Sequence, residues 1–231
     1  MSKFSSKPKA PVLIGGKKVT SDKVIVAKAL NDEQKLVLKT FYDNQISMVS
    51  GPAGCGKTYL AVTFALQEFY RGHYQQIVFV RPQTESGPSL GFLPGSFYEK
   101  VAPLMIPMFS IMGQVLTPKD INDLLVEEKL IMLPFAYLRG ITFDNAIVVA
   151  DECSNASNHL IRLLLTRIGK NSKILMTGDP LQSDFDLKNN GFLDALSRFK
   201  NMENIGIVNM TKEAIVRHPL IAEIERRYEK N

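Results

Sequence analysis

Apolar residues along this chain fall into short blocks separated by longer stretches of mixed polarity, and from residue 31 the two alternate. Five blocks, at 46–50, 77–81, 146–150, 173–177 and 205–209, are each five residues long and mostly apolar. AIVVA at 146–150 is apolar throughout, the pattern of a strand buried on both faces of a parallel sheet. Between the blocks, helical patterns cover 32–42, 57–71, 159–168 and 192–199, and Asn31-Asp32 offers an N-cap for the first. A shorter apolar run occupies 130–133. Residues 96–116 read as helical, with Pro103 and Pro107 breaking or kinking the helix. Thr117-Pro118 supplies an N-cap and first helical position for the next one, and 219–229 reads as a C-terminal helix. Strands alternating with helices predict an α/β domain with a mostly parallel sheet flanked by helices. Residues 82–95, with three prolines and three glycines, read as irregular.

The first 28 residues break this pattern. Residues 1–10 are polar with several lysines and predict disorder, while 12–14 and 19–20 flank Gly15-Gly16 as a small hairpin. The chain therefore divides into a basic arm, 1–28, and a single domain, 29–231. Charge sharpens the division. The net charge is +5, but seven lysines against Asp22 place +6 in the arm and leave −1 for the rest. The arm is either a solvated tail or a segment that binds a polyanion, and the domain carries no bulk basicity that points to nucleic acid. No apolar run approaches the ~18 residues of a membrane span, and the N-terminus lacks the apolar core of a secretory signal. Two cysteines without a CxxC pair exclude a disulfide scaffold or a cysteine zinc site and fit a reduced, cytoplasmic setting.

Chemistry concentrates at the ends of the apolar blocks. Residues 51–58 read GPAGCGKT, the G-x-x-x-x-G-K-[ST] pattern, between a strand and a helix. The glycines let backbone amides approach phosphate oxygens, and the helix that follows points its positive end at them. Gly51, Pro52, Ala53, Gly54, Cys55, Gly56, Lys57, Thr58 and the following Tyr59 are the candidate ATP contacts. Lys57 supplies charge to the β- and γ-phosphates, and the Thr58 hydroxyl is a Mg²⁺ ligand. The 146–150 strand runs into Asp151-Glu152, at the edge where open α/β sheets bind ligands. Asp151 is placed to hold Mg²⁺ and Glu152 to orient or deprotonate an attacking water. The 173–177 strand ends in Gly178-Asp179-Pro180-Leu181-Gln182, where Gln182 can sense the γ-phosphate within turn chemistry. Cys55 and Cys153 fall beside these motifs, as small buried residues or as a redox-sensitive pair.

These motifs, with VRPQTESGPSLGFLPG, AYLRGITFDNAIVVADE and IVRHPL, occur in the order seen in PhoH-family proteins, and 30–229 resembles that family. The resemblance implies a RecA-like P-loop ATPase fold, similar to the first motor domain of superfamily-one helicases, using ATP and Mg²⁺. It adds Gln34 as a reader of the adenine edge, Arg81 as a residue facing substrate or a neighbour, and Arg139 and Arg217 as further arginines of family motifs. Two positions depart from the family. Ser154 stands where a glutamine is usual after the acidic pair, and Pro88 where a glutamate is usual. A helicase-type site lies between two motor domains, and 231 residues are too few for two. The expectation is therefore a ring, a hexamer by analogy, with Arg217 as arginine finger in trans and RNA or single-stranded DNA as partner. The alternative is a nucleotide-gated scaffold or regulatory ring without motor activity. No second-substrate motif supports a phosphotransferase, and no two-metal acidic cluster supports a nuclease.

Overall fold

A computed structural model of the chain describes residues 24–83, 101–183, 190–216 and 227. Among them lie six strands: β1 (Ile46–Ser50), β2 (Gln76–Arg81), β3 (Leu130–Pro134), β4 (Ala146–Ala150), β5 (Lys173–Gly178) and β6 (Ile205–Asn209). The α-helices are α1 (Asp32–Asp43), α2 (Lys57–Tyr70), α3 (Ile106–Met112), α4 (Pro118–Val126), α5 (Asn158–Leu165) and α6 (Gly191–Arg198). The strands form one sheet in the order β3-β2-β4-β5-β1-β6, and every neighbouring pair is parallel. This is the RecA-like α/β architecture expected from the alternation of blocks.

The apolar runs explain the layering. Side chains alternate across a strand, so β4 sends Ile147 and Val149 to one face and Ala146, Val148 and Ala150 to the other. The first face packs Val37 and Phe41 of α1, Phe64 of α2 and Met108 of α3. The second packs Ile161 and Leu164 of α5 and Phe192 of α6. Two cores therefore clamp the sheet. Phe41 and Phe64, both fully buried, meet at 5.4 Å between ring centres, and truncating either to Ala costs about 3–5 kcal/mol.

Several expectations are sharpened. Ile25 and Ala27 are buried in the first core, and the Ala27 N–H donates to Gln67 Oε1 at 3.1 Å. The packed unit thus begins within the stretch read as arm. Pro103 and Pro107 each sit in the first turn of an element, the 3₁₀ turn Ala102–Met105 and helix α3. There the missing N–H costs nothing, so these prolines start elements instead of kinking one. The helix read over 159–168 ends at Leu165, because the Phe143 N–H takes the Arg167 carbonyl and Ile168 forms a parallel bridge to Phe143. The 12–20 hairpin, the Pro88 loop and, apart from Arg227, the 219–229 helix lie outside the described residues. No helix among the described residues is long and apolar enough to cross a membrane.

Candidate active site

Parallel pairing brings the C-terminal ends of β1, β2, β4 and β5 to one edge, and the phosphate loop, Arg81, the acidic pair and the GDPLQ turn lie there. Register sets their levels: Ser50 pairs with Gly178, and Val80 with Ala150. The Asp151 N–H donates to the Val80 carbonyl at 3.0 Å and the Gly51 N–H to the Gly178 carbonyl at 3.3 Å. Strand β5 lies between β1 and β4, so the GDPLQ turn is held between the loop and the acidic pair.

The loop of 51–56 is packed against its surroundings. A Cβ on Gly51 would lie 2.7 Å from Met210 Cβ, and one on Gly56 would lie 2.9 Å from Gln34 Nε2. Gly56, at φ +89°, caps α2 in a left-handed conformation that strains any side chain. Behind the loop the chain leaving β6 folds back. The Met210 N–H donates to the Ser50 carbonyl at 2.7 Å, and the Val216 N–H to the Gly54 carbonyl at 3.1 Å. The Lys57 ammonium donates to the Gly51 and Pro52 carbonyls at 2.6 and 2.8 Å.

Below the loop, two hydroxyls, one from a helix and one from a strand, converge on one Asp151 oxygen. The Thr58 hydroxyl, in the first turn of α2, donates to Asp151 Oδ1 at 2.7 Å, and the Thr177 hydroxyl of β5 donates to the same oxygen at 2.6 Å. In the sequence Thr177 only leads into the GDPLQ turn, with no signal for this role. Asp151 Oδ2 faces Arg81 Nε at 3.5 Å, and Arg81 Nη2 faces Glu152 Oε1 at 3.4 Å. Burial and the neighbouring Asp151 push the Glu152 carboxyl above its ordinary range, against the pull of Arg81 and Lys57. A carboxylate held that way is a stronger base than a solvated one. Ser154 is fully buried; its Oγ accepts from the Asp179 N–H at 3.2 Å and its carbonyl from Ser183 Oγ at 2.8 Å. The short serine therefore ties the acidic segment to the GDPLQ turn.

A cavity of about 320 Å³ joins Ala53, Gly54, Gly56, Lys57, Thr58 and Tyr59 of the loop region to Asp151, Glu152, Gly178, Asp179 and Gln182, with Val216 on its wall. Gly51, Pro52 and Cys55 shape the loop without lining that cavity. Gln34 is likewise outside it. Its side-chain oxygen accepts from the Leu30 N–H at 2.7 Å and its amide donates to the Cys55 carbonyl at 3.0 Å. The carboxamide thus braces the loop with one of its two N–H donors and one of its two oxygen lone pairs. Arg81, expected to face substrate or a neighbour, instead turns to the chain's own carboxylates. Both cysteines are buried, and burial pushes both thiols up; neither favours the thiolate that redox chemistry needs. Arg217 lies outside the described residues, one position after Val216.

The donor set fits Mg²⁺. Thr58 and Asp151 present hard oxygens side by side, and no group of three or more metal-binding His, Cys, Asp or Glu residues occurs among the described residues. An ion here would lean on phosphate oxygens and water, as Mg²⁺ does.

An amide cradle opening a helix, a lysine at its first position and an aspartate beside the helix threonine define a P-loop NTPase on a RecA-like sheet. The chain belongs to the PhoH-like protein family, whose model matches residues 26–229. It is 39% identical over 189 residues to a PhoH-like protein of Bacillus subtilis, covering 81% of this chain and 59% of that one. It is 33% identical over 207 residues to a PhoH-like protein of Synechocystis, covering 89% and 63%. With Protein PhoH of Escherichia coli it shares 36% over 195 residues, covering 83% and 55%. The chain thus spans less than two thirds of the length of these relatives. Among solved structures it is similar to a Pif1 helicase from Candida albicans, at 14% identity and a TM-score of 0.42, over 86% of this chain and 44% of that one. A Bacteroides Pif1 bound to single-stranded DNA gives 15% and 0.40, over 87% and 46%.

Proposed function

We propose that this chain is a Mg²⁺-dependent ATP hydrolase that works as a homo-oligomeric ring on RNA or single-stranded DNA. The observation that carries the hydrolase reading is the meeting of Thr58 and Asp151 at 2.7 Å, 93 residues apart, beside the loop amides. Lys57 and the loop amides bind the phosphates, and Thr58 and Asp151 hold Mg²⁺. When bound, the ion neutralises charge developing on the β- and γ-oxygens. Glu152 orients the attacking water and accepts its proton. Gln182 senses the γ-phosphate from the neighbouring turn, and Gln34 reads adenine. Steady-state ATP hydrolysis with and without RNA, on protein of known assembly state, tests the whole reading. Turnover abolished by Glu152→Gln, stimulated by RNA and carried by a hexamer is the expected result. A monomer with full activity would overturn the ring. Competition of ATP with GTP on Gln34→Ala tests adenine selection, since an unchanged preference assigns Gln34 to bracing the loop alone.

The ring reading gives Arg217 the role of a finger reaching a neighbour's site. A second reading, that Arg217 serves its own chain, is favoured by the Val216 N–H bonded to the Gly54 carbonyl. Mixing Lys57→Ala with Arg217→Ala subunits separates the two. Activity returns on mixing only when the arginine crosses between subunits. The net charge of −1 over 29–231 lends no support to a nucleic-acid partner, and absent RNA stimulation would support the alternative of a nucleotide-gated scaffold.

A further inference from the structure

Arg81 ends β2 beside the acidic pair that follows β4, and its guanidinium has three partners in three directions. Nη1 donates to the Leu104 carbonyl at 2.7 Å, Nε faces Asp151 at 3.5 Å, and Nη2 faces Glu152 at 3.4 Å. The first is a well-formed hydrogen bond; the other two are at charge-contact range. The side chain is thus anchored on the turn Ala102–Met105 and reaches from there to the carboxylates. The guanidinium spreads its donors over three nitrogens and so reaches all three acceptors, whereas a lysine ammonium carries its donors on one nitrogen and reaches a narrower set.

The two carboxylates need such a group. They are consecutive in sequence, and although the Glu152 side chain is 43% exposed, the Asp151 side chain is 4% exposed, so water screens their repulsion from one side only. Asp151 is fixed by Thr58 and Thr177. Glu152 has no comparable hydroxyl partner among the described residues; its ion pair is with Arg81. Without the guanidinium, its side chain has every electrostatic reason to swing away from Asp151 into the open cavity. We propose that Arg81 is a positioning residue that holds the Glu152 carboxylate beside Asp151, anchored by the Leu104 carbonyl. The inference rests on Glu152 acting at the attacking water. Misplacing such a group by about 1 Å can cost on the order of 10²-fold in rate.

The test compares wild type with Arg81→Ala, Arg81→Lys, Glu152→Gln and the double variant Arg81→Ala/Glu152→Gln. Single-turnover hydrolysis of labelled ATP and equilibrium binding of a fluorescent ATP analogue are read on each. Arg81→Ala is expected to slow hydrolysis about 10- to 100-fold with Kd moved less than about threefold, and Arg81→Lys to recover only part of the loss. In the Glu152→Gln background the same substitution is expected to change the rate less than about twofold, because the group it positions is already gone. Equal losses in both backgrounds, or a Kd that rises as the rate falls, overturn the inference. Wild-type hydrolysis by Glu152→Gln overturns the reading of Glu152 itself, an outcome distinct from either of these.

Discussion

Lys57 and Lys173 stand at opposite ends of the sheet and spend their ammonium groups alike, each donating to backbone carbonyls. Lys57 reaches Gly51 and Pro52 in the phosphate loop. Lys173, the first residue of β5, reaches Phe41, Tyr42 and Asn44 at the end of α1. The surroundings differ. Lys57 lines the cavity, so phosphate oxygens can take over from the carbonyls. Lys173 is 8% exposed and burial pulls it down to about 8. Helix α1 has no basic residue in its last turn, and its terminal carbonyls need donors; Lys173 supplies them from another element. One lysine is free to exchange partners and the other is a weld, and only the first belongs to a motif.

Removing each lysine breaks the comparison in a different observable. The largest expected effect is on Lys57→Ala, which should slow ATP hydrolysis by about 10³-fold while moving Tm by no more than about 2 °C. A comparable loss of stability would make Lys57 a second weld. Lys173→Met should instead cost about 2–3 kcal/mol in urea unfolding, because it orphans buried carbonyls, with turnover per folded molecule unchanged. A pH series sharpens the contrast. The unfolded chain holds the Lys173 proton up to about 10.5 and the folded chain only to about 8. The unfolded state therefore binds more protons in that window, and the stability this lysine carries rises with pH through it. The gap between wild type and Lys173→Met should widen by on the order of 2 kcal/mol from pH 7.5 to 10, and a constant gap would refute the lowered pKa. The smallest effect belongs to the other end of α1, where the Asn31 side chain accepts from the Gln34 N–H at 2.9 Å. Asn31→Ala should cost about 1 kcal/mol, as a local cap does.

The elements were legible where local patterning and packing agree. β1, β4 and β6 fall where the apolar runs put them, and α4 starts at the Thr117 cap with Asp120 completing a capping box. The phosphate loop and acidic pair were legible because their chemistry needs fixed residue types at fixed spacing. Residues whose roles depend on strand register were not. Thr177 meets Asp151 only because β5 lies next to β4, and Arg81 only because β2 lies on its other side. Lys173 reads as a poor strand residue until α1 is placed above it. Gln34 entered only as an adenine reader implied by the family resemblance, and its bracing of the loop was not legible, because the two backbone groups holding its amide depend on the turn at Leu30 and the loop at Cys55.

The backbone at Glu152 has a further consequence. It is left-handed, with φ +55° and ψ +36°, a conformation that costs a glutamate roughly 1 kcal/mol or more and suits asparagine or glycine better. By the fold's own accounting, residue 152 is the wrong amino acid. Glu152→Asn should then leave a protein at least as hard to unfold as the original, though unable to turn over ATP. Selection for sturdiness alone would drift away from glutamate here. Glutamate here runs against the preference of its own backbone, so laboratory evolution for thermal tolerance, run without a hydrolysis screen, should lose activity at this position early.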